Sequence, residues 1–253
     1  MSCPPQSLTT IPRPWPWLIS MSNKVVIVEG LIGAGKSSLS KELGEALGES
    51  TLTLMEPDEK DNANPYLASF YQNQERWAFT MQVHLLQARY MMHLQAQWYA
   101  MNKQGHAVLD RSYFGDTSFA RLQVKTGAMS ENEFETYRSI YHAMTASVLL
   151  PSVCVRLVVS PEVATERIRR RMELQTGRKC ENVIDINYLR ELDREINHMV
   201  GVLTGQGVHT IHVPWDADRG TTEARKDAVN EIAAQIVETQ QKDLFLDLHR
   251  RTL

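Results

Sequence analysis

The stretch Gly30-Leu31-Ile32-Gly33-Ala34-Gly35-Lys36-Ser37 follows directly on the apolar run Val25-Val26-Ile27-Val28-Glu29 and precedes a run, Ser38 to Leu47, that reads as a helix. A glycine-rich turn that ends in Lys-Ser and opens a helix gathers backbone N–H groups into one concavity. The helix N-terminus makes that concavity still more favourable for an anion. The order strand, G-x-x-x-x-G-K-[ST], helix is that of a phosphate cradle. Gly30, Gly33, Ala34 and Gly35 bring the backbone close to the phosphates, Lys36 reaches the outer ones, and the Ser37 hydroxyl, followed by Ser38, is placed to ligate Mg²⁺. A nucleoside triphosphate is the ligand this predicts. It leaves open which molecule receives the phosphate.

Outward from the cradle, short apolar runs alternate with helical patterns. Strands are expected at 51–55, 107–109, 153–159 and 210–213 in addition to the first. Helices are expected at 66–71, 75–103, 116–124, 130–146 (opened by the capping box Ser130-Glu131-Asn132-Glu133), from Ser160-Pro161 onward, 187–203 and 222–240. Residues 172–184 read as irregular. Regular alternation of this kind predicts an α/β fold with a five-stranded parallel sheet and helices on both faces. With no internal repeat and no linker, residues 23–253 form a single domain and residues 1–22, with five prolines, a flexible extension in which Met21 could be the functional start.

Parallel sheets bind ligands at the C-terminal ends of their strands, and two further strands end in charged residues there. Glu56 closes the second strand and is the candidate general base. Asp110-Arg111 closes the third, with Asp110 as a Mg²⁺ ligand in the manner of a Walker B acid. Gln82 and Arg89, seven apart on the long helix, share a face and offer donors and an acceptor to a planar base edge. Arg167, Arg169, Arg170 and Arg171 supply fork-shaped donors for an arginine-rich lid over the donor phosphates.

Composition narrows the partners. The 253 residues are 43% hydrophobic and 23% charged with a net charge of -3, which gives no whole-molecule pull toward nucleic acid or anionic membrane. No apolar run approaches the roughly 18 residues of a membrane span. Cys3, Cys154 and Cys180 form no C-x-x-C pair, which points to a reducing, cytoplasmic setting. Asn102-Lys103-Gln104-Gly105 does not fit the N-K-x-D pattern of guanine-reading proteins, so a GTPase is set aside. The long helices 75–103 and 130–146 offer a surface for a homodimer.

Taken together, Gly30 to Ser37, Glu56-Pro57, Asn64-Pro65-Tyr66-Leu67, Glu75-Arg76-Trp77-Ala78-Phe79, Asp110-Arg111-Ser112 with Asp116, and the arginine-rich helix end resemble the deoxyribonucleoside kinase family in order and spacing, from about Lys24 to Arg219. The N-P-Y-L and D-R-S stretches are closer to its bacterial-type deoxyguanosine and deoxyadenosine kinases than to the animal deoxycytidine kinases. The resemblance implies a P-loop kinase fold and ATP-dependent, Mg²⁺-dependent transfer to the 5′-hydroxyl of a deoxynucleoside, purines preferred. It implies that Glu56 is the base assisted by Arg111, that Gln82 pairs with the nucleobase beside Arg89 and Asp116, and that Tyr71 and Glu181 bind the sugar. Arg167 would contact the donor adenine, Arg169 and Arg171 its phosphates, and Asp216 to Asp218 the adenine loop. The sequence departs from the animal members in having Asp58 to Asn62 where they place a Trp against the base, a packing role that falls to Tyr66 or Phe70. A nucleoside monophosphate kinase and a non-catalytic nucleotide-binding module are the competing expectations.

Overall fold

The computed structural model describes residues 23–56, 64–103, 105–174, 184–217 and 222–239. Five parallel strands, β1 (Val25–Gly30), β2 (Leu52–Leu54), β3 (Ala107–Asp110), β4 (Val153–Val158) and β5 (His209–Pro214), lie in the order β2-β3-β1-β4-β5. β1 sits in the middle with all six residues buried, which is why it reads as an unbroken apolar run rather than an alternating one. Its two register partners, β3 and β4, are almost as deeply buried. Burying side chains such as Ile27, Leu109 and Leu157 stabilises the sheet by roughly 1.5–3 kcal/mol each.

Among the described residues, eight helices connect and cover the strands: α1 (Lys36–Ala46), α2 (Leu67–Gln72), α3 (Gln74–Asn102), α4 (Tyr113–Lys125), α5 (Glu131–Thr145), α6 (Pro161–Leu174), α7 (Ile186–Gly205) and α8 (Thr222–Glu238). α1 packs against α8, while α3, α4, α5 and α7 pack against one another on the opposite side of the sheet. The expected sheet and helix order is therefore the observed one. Glu133 and Ser130 make both halves of the predicted capping box at the start of α5.

Two boundaries differ from the sequence reading by more than two residues, each for a local reason. α4 begins at Tyr113 rather than Asp116, because Ser112 is its N-cap and accepts from the Gly115 N–H at 3.3 Å. α6 continues through Met172, Glu173 and Leu174, which were expected to be irregular; Glu173 there pairs with Arg169 one turn back. A break at Asn73, whose backbone is extended, separates α2 from α3, and the Asn73 side chain caps α3 by accepting from the Arg76 N–H at 3.1 Å.

Candidate active site

The chain leaves β1 through Gly30 and turns into α1 with Gly33 at φ 79° and Gly35 at φ 90°, left-handed values that favour glycine. No side chain among the described residues caps α1, which leaves its first-turn N–H groups suited to an anion. Lys36 Nζ lies back over the loop and donates to the Leu31 carbonyl at 2.8 Å. Burial, and secondarily the Arg111 charge, bring its pKa down to about 7, against the pull of Asp110, Glu56 and Glu29. A buried ammonium in that condition gains from an arriving phosphate. The Ser37 hydroxyl donates to Asp110 Oδ2 at 2.5 Å, while Asp110 Oδ1 is buried with no partner among the described residues. A hydroxyl facing a carboxylate with an oxygen to spare fits a hard divalent cation such as Mg²⁺.

Glu56 stands just beyond β2 and accepts hydrogen bonds from two arginines, Arg89 through Nη2 and Arg111 through Nε, the latter at 3.0 Å. Burial alone would raise the Glu56 pKa, but Arg89, Arg111 and Lys36 outweigh it and hold the carboxyl at about 2. At neutral pH it is a carboxylate. Arg111 has φ 70°, a left-handed conformation that costs a non-glycine residue about 1–2 kcal/mol. The surroundings fix that turn. Arg111 N–H donates to the Val28 carbonyl at 3.1 Å, its Nη1 to Gly30 at 3.3 Å, and its guanidinium lies 4.9 Å from the centre of the Phe119 ring. The turn also rests on Glu29, wholly buried, which accepts from the Ser112 hydroxyl at 2.7 Å. Burial pushes the Glu29 carboxyl up, with Arg111 opposing.

Behind this pair lies a second polar layer. Arg89, buried, bridges Glu56 and the Asp116 carboxylate, and Tyr137 OH donates to the other Asp116 oxygen at 2.7 Å. Gln82 Nε2 donates to the Asp116 backbone carbonyl at 3.1 Å, and Gln82 Oε1 accepts from Gln123 Nε2 at 2.9 Å. Burial raises the Asp116 pKa with Arg89 opposing, and raises that of Tyr137 with Asp116 adding to it.

The residues picked from sequence thus divide. Lys36, Ser37, Asp110, Glu56 and Arg111 meet at one sheet edge, and Gln82, Arg89 and Asp116 join Glu56 through Arg89. Tyr71 is on α2, half-buried, its ring 5.3 Å from Phe70. Phe70 belongs to a small cluster with Met81, Leu85 and Met129, whereas Tyr66 packs on Trp77 and His84. Arg167 ties the cradle to the end of β5, donating to the carbonyls of Trp215 at 2.8 Å, Asp216 at 3.3 Å and Ala34 at 3.4 Å. The Asp216 carboxylate accepts from Ser160 N–H at 2.7 Å. Arg169 is exposed and paired with Glu166 at 2.7 Å and Glu173 at 2.5 Å. Arg171 is half-buried on the helix face of Ile168, the residue that a Cβ on Gly33 would meet at 3.0 Å. Glu181 and Asp218 lie outside the described residues. Sequence reading missed Glu29, Phe119, Gln123 and Tyr137. Of these only Glu29 carried a signal, an acid closing the strand directly before the cradle.

A phosphate cradle and an arginine-clamped carboxylate on the C-terminal edge of a β2-β3-β1-β4-β5 parallel sheet define a P-loop kinase fold. The chain belongs to the deoxynucleoside kinase family, whose model matches residues 26–238. It is 33% identical over 194 residues to a deoxyguanosine kinase of Dictyostelium discoideum, covering 77% of this chain and 65% of that protein. It is 31% identical over 222 residues to the deoxyadenosine/deoxycytidine kinase of Bacillus subtilis, covering 87% of this chain and 96% of that one. The match thus spans less than two thirds of the Dictyostelium protein but nearly all of the bacillary one. Among solved structures, a deoxyadenosine kinase from M. mycoides has the same fold, with a TM-score of 0.67 and 23% identity over 83% of this chain and 97% of that one. No helix among the described residues is long and apolar enough to cross a membrane.

Proposed function

We propose that the chain transfers the γ-phosphate of ATP to the 5′-hydroxyl of deoxyribonucleosides, with purines preferred. The observation that carries this is Glu56, an ionised carboxylate clamped by Arg89 and Arg111 on the same sheet edge as Lys36 and Ser37. A carboxylate so stabilised accepts a hydrogen bond readily and a proton reluctantly. That suits phosphoryl transfer through a loose transition state, in which the hydroxyl is oriented first and deprotonated late. Arg111 holds the carboxylate in place, and Lys36, whose own pKa has fallen to about 7, gains charge stabilisation as the phosphates arrive.

Ser37 and Asp110 would hold Mg²⁺, which when bound neutralises charge on the phosphates. Gln82, Arg89 and Asp116 would face the nucleobase, Tyr71 and Glu181 the sugar. Arg167, Arg171, Asp216 and Asp218 would bind the donor, and Arg169 would join them after release from Glu166 and Glu173. The names of the relatives, deoxyguanosine, deoxyadenosine and deoxyadenosine/deoxycytidine kinases, support the purine preference and leave room for deoxycytidine. A homodimer and a cytoplasmic location complete the reading. Met91, Trp98 and Met101 are exposed on α3, where a second copy would cover them, and sedimentation measures that directly.

Turnover of the four natural deoxynucleosides, followed as ADP release from ATP, tests the activity. The expected result is transfer to deoxyguanosine or deoxyadenosine with the highest kcat/KM. Preference for a nucleoside monophosphate, or tight ATP binding with no transfer to any nucleoside, would overturn it.

A further inference from the structure

Trp215 follows β5 and stands beside the phosphate cradle. A Cβ built on Gly35 would meet its indole Nε1 at 3.5 Å and Cδ1 at 3.8 Å, so the ring lies on the side of Gly35 that the missing side chain leaves open. The indole is buried and its backbone is fixed on both sides. Trp215 N–H donates to the Val158 carbonyl at 2.8 Å, and the Trp215 carbonyl accepts from Arg167 at 2.8 Å. Gly35 is the N-cap of α1, the residue from which the first-turn N–H groups are aimed.

The indole is also engaged from α8. The Arg225 guanidinium lies 5.4 Å from the centre of the Trp215 ring, within reach of a cation–π contact, and Arg225 Nε donates to both oxygens of Glu42 at 2.9 Å. Glu42 is near the middle of α1. One side chain of α8 therefore grips α1 twice, at Glu42 directly and at the N-cap through the indole. An aliphatic residue at 215 could fill the space but would give the guanidinium no π face.

Backbone N–H groups bind an anion well when they are aimed before it arrives, because ordering them on arrival subtracts from affinity. The grip supplies that aim from outside the cradle, since Arg225 is half-buried on α8. Gln82, Arg89 and Asp116, on α3 and α4, belong to other elements.

We propose that Arg225 is a positioning residue for the phosphate cradle, which fixes the N-terminal end of α1 through the Trp215 indole and the Glu42 carboxylate and so sets the affinity for the donor ATP. This rests on the reading of Gly30 to Ser37 as the ATP site.

The dissociation constant for ATP, measured by calorimetric titration of the full chain, reads the grip together with the KM values for ATP and deoxynucleoside. Arg225→Met keeps the stem and removes the guanidinium. Kd and KM for ATP should rise about three- to fivefold, the scale of one partly exposed cation–π contact, with kcat and the nucleoside KM held. Arg225→Lys, which keeps a cation for the indole, should recover most of the loss. Lys226→Met removes the same charge one residue further on and should leave ATP affinity where it was. Glu42→Gln removes the ion pair but leaves the cation over the indole, and should reproduce only part of the rise. A purely structural role would lower the melting temperature of Arg225→Met and leave its ATP affinity unchanged, which overturns the proposal. So does a rise in both KM values together, or an equal rise in Lys226→Met, which would make the effect one of net charge. If Glu42→Gln reproduces the whole rise, the route through the indole is overturned. Lys36→Met separates the two claims: weakened ATP binding there with none in Arg225→Met overturns the grip and leaves the cradle, whereas unchanged ATP binding in Lys36→Met removes the reading beneath it.

Discussion

The proposed donor side of the site is eight consecutive residues, Gly30 to Ser37, whose work would be done by backbone N–H groups, two left-handed glycines and one lysine. The proposed acceptor side draws Glu56, Gln82, Arg89, Arg111, Asp116, Gln123 and Tyr137 from five separate places in the chain and would work mainly through side chains. A site made by the backbone depends on local turn geometry. One made by side chains depends on the packing of α3, α4 and α5 around it. The two sides should therefore fail in different ways.

The largest separation is expected at Glu56. Glu56→Gln keeps the shape and removes the charge between Arg89 and Arg111, so kcat should fall by ~10²-fold or more, the range of general-base effects, while KM for ATP holds. Near wild-type turnover would remove Glu56 from its proposed role. With its pKa at about 2, Glu56 itself gives activity no acid limb in the ordinary assay range.

An acid limb in stability is expected from His93 instead, which packs against Tyr113 and Phe114 at the start of α4. Burial pushes its pKa down to about 4, with the hydrogen bond to the Leu149 carbonyl opposing. The unfolded chain takes up a proton near 6.5 and the folded one does not. The contribution is complete above pH 6.5 and is lost as the pH falls from there to about 4, a loss on the order of 3 kcal/mol. Denaturation followed across that window should show the slope in the wild type and a flatter one in His93→Gln, which keeps a donor for Leu149. Equal slopes would place the acid sensitivity elsewhere.

Gly33→Ala strikes the donor side through the backbone. At φ 79° a side chain costs about 1–2 kcal/mol, and its Cβ would stand 2.7 Å from the Ala164 carbonyl. KM for ATP should rise several-fold and melting temperature fall, with the nucleoside KM much less affected. If both KM values rise together, the cradle also supports the acceptor side.

The same division decides what was legible in the sequence. The glycine-rich turn and the five-stranded parallel sheet could be read because local spacing and strand-helix alternation encode them; the order of the strands within the sheet could not. That Glu56, Asp110 and Arg111 stand at one sheet edge could be read because parallel strands bring their C-terminal ends together there. The left-handed turn at Arg111 could not be, since no residue type announces it and it exists only where Val28, Gly30, Glu56 and Phe119 hold it. Gln123 and Tyr137 look like ordinary helix residues until α3, α4 and α5 come together. Arg169 carries two signals at once. The run of arginines suggests a phosphate ligand, yet Glu166 three residues before and Glu173 four after are at ion-pair spacing, and the fold uses that spacing.

The mildest probe of the acceptor side is Tyr137→Phe. The ring, near-parallel to Phe134 at 6.2 Å, keeps its packing, so the change reduces to one hydroxyl. Without it the Asp116 oxygen that faces Tyr137 is buried with no donor, at a cost of about 1–2 kcal/mol. Asp116 then draws harder on Arg89, which it shares with Glu56. KM for the nucleoside should rise a few-fold while KM for ATP stays put, because Arg89 reaches the base side and not the cradle. An ATP KM that moved equally would mean the two halves are coupled through Arg89 and Glu56, and the distinction between a backbone site and a side-chain site would have to be drawn at Arg111 instead.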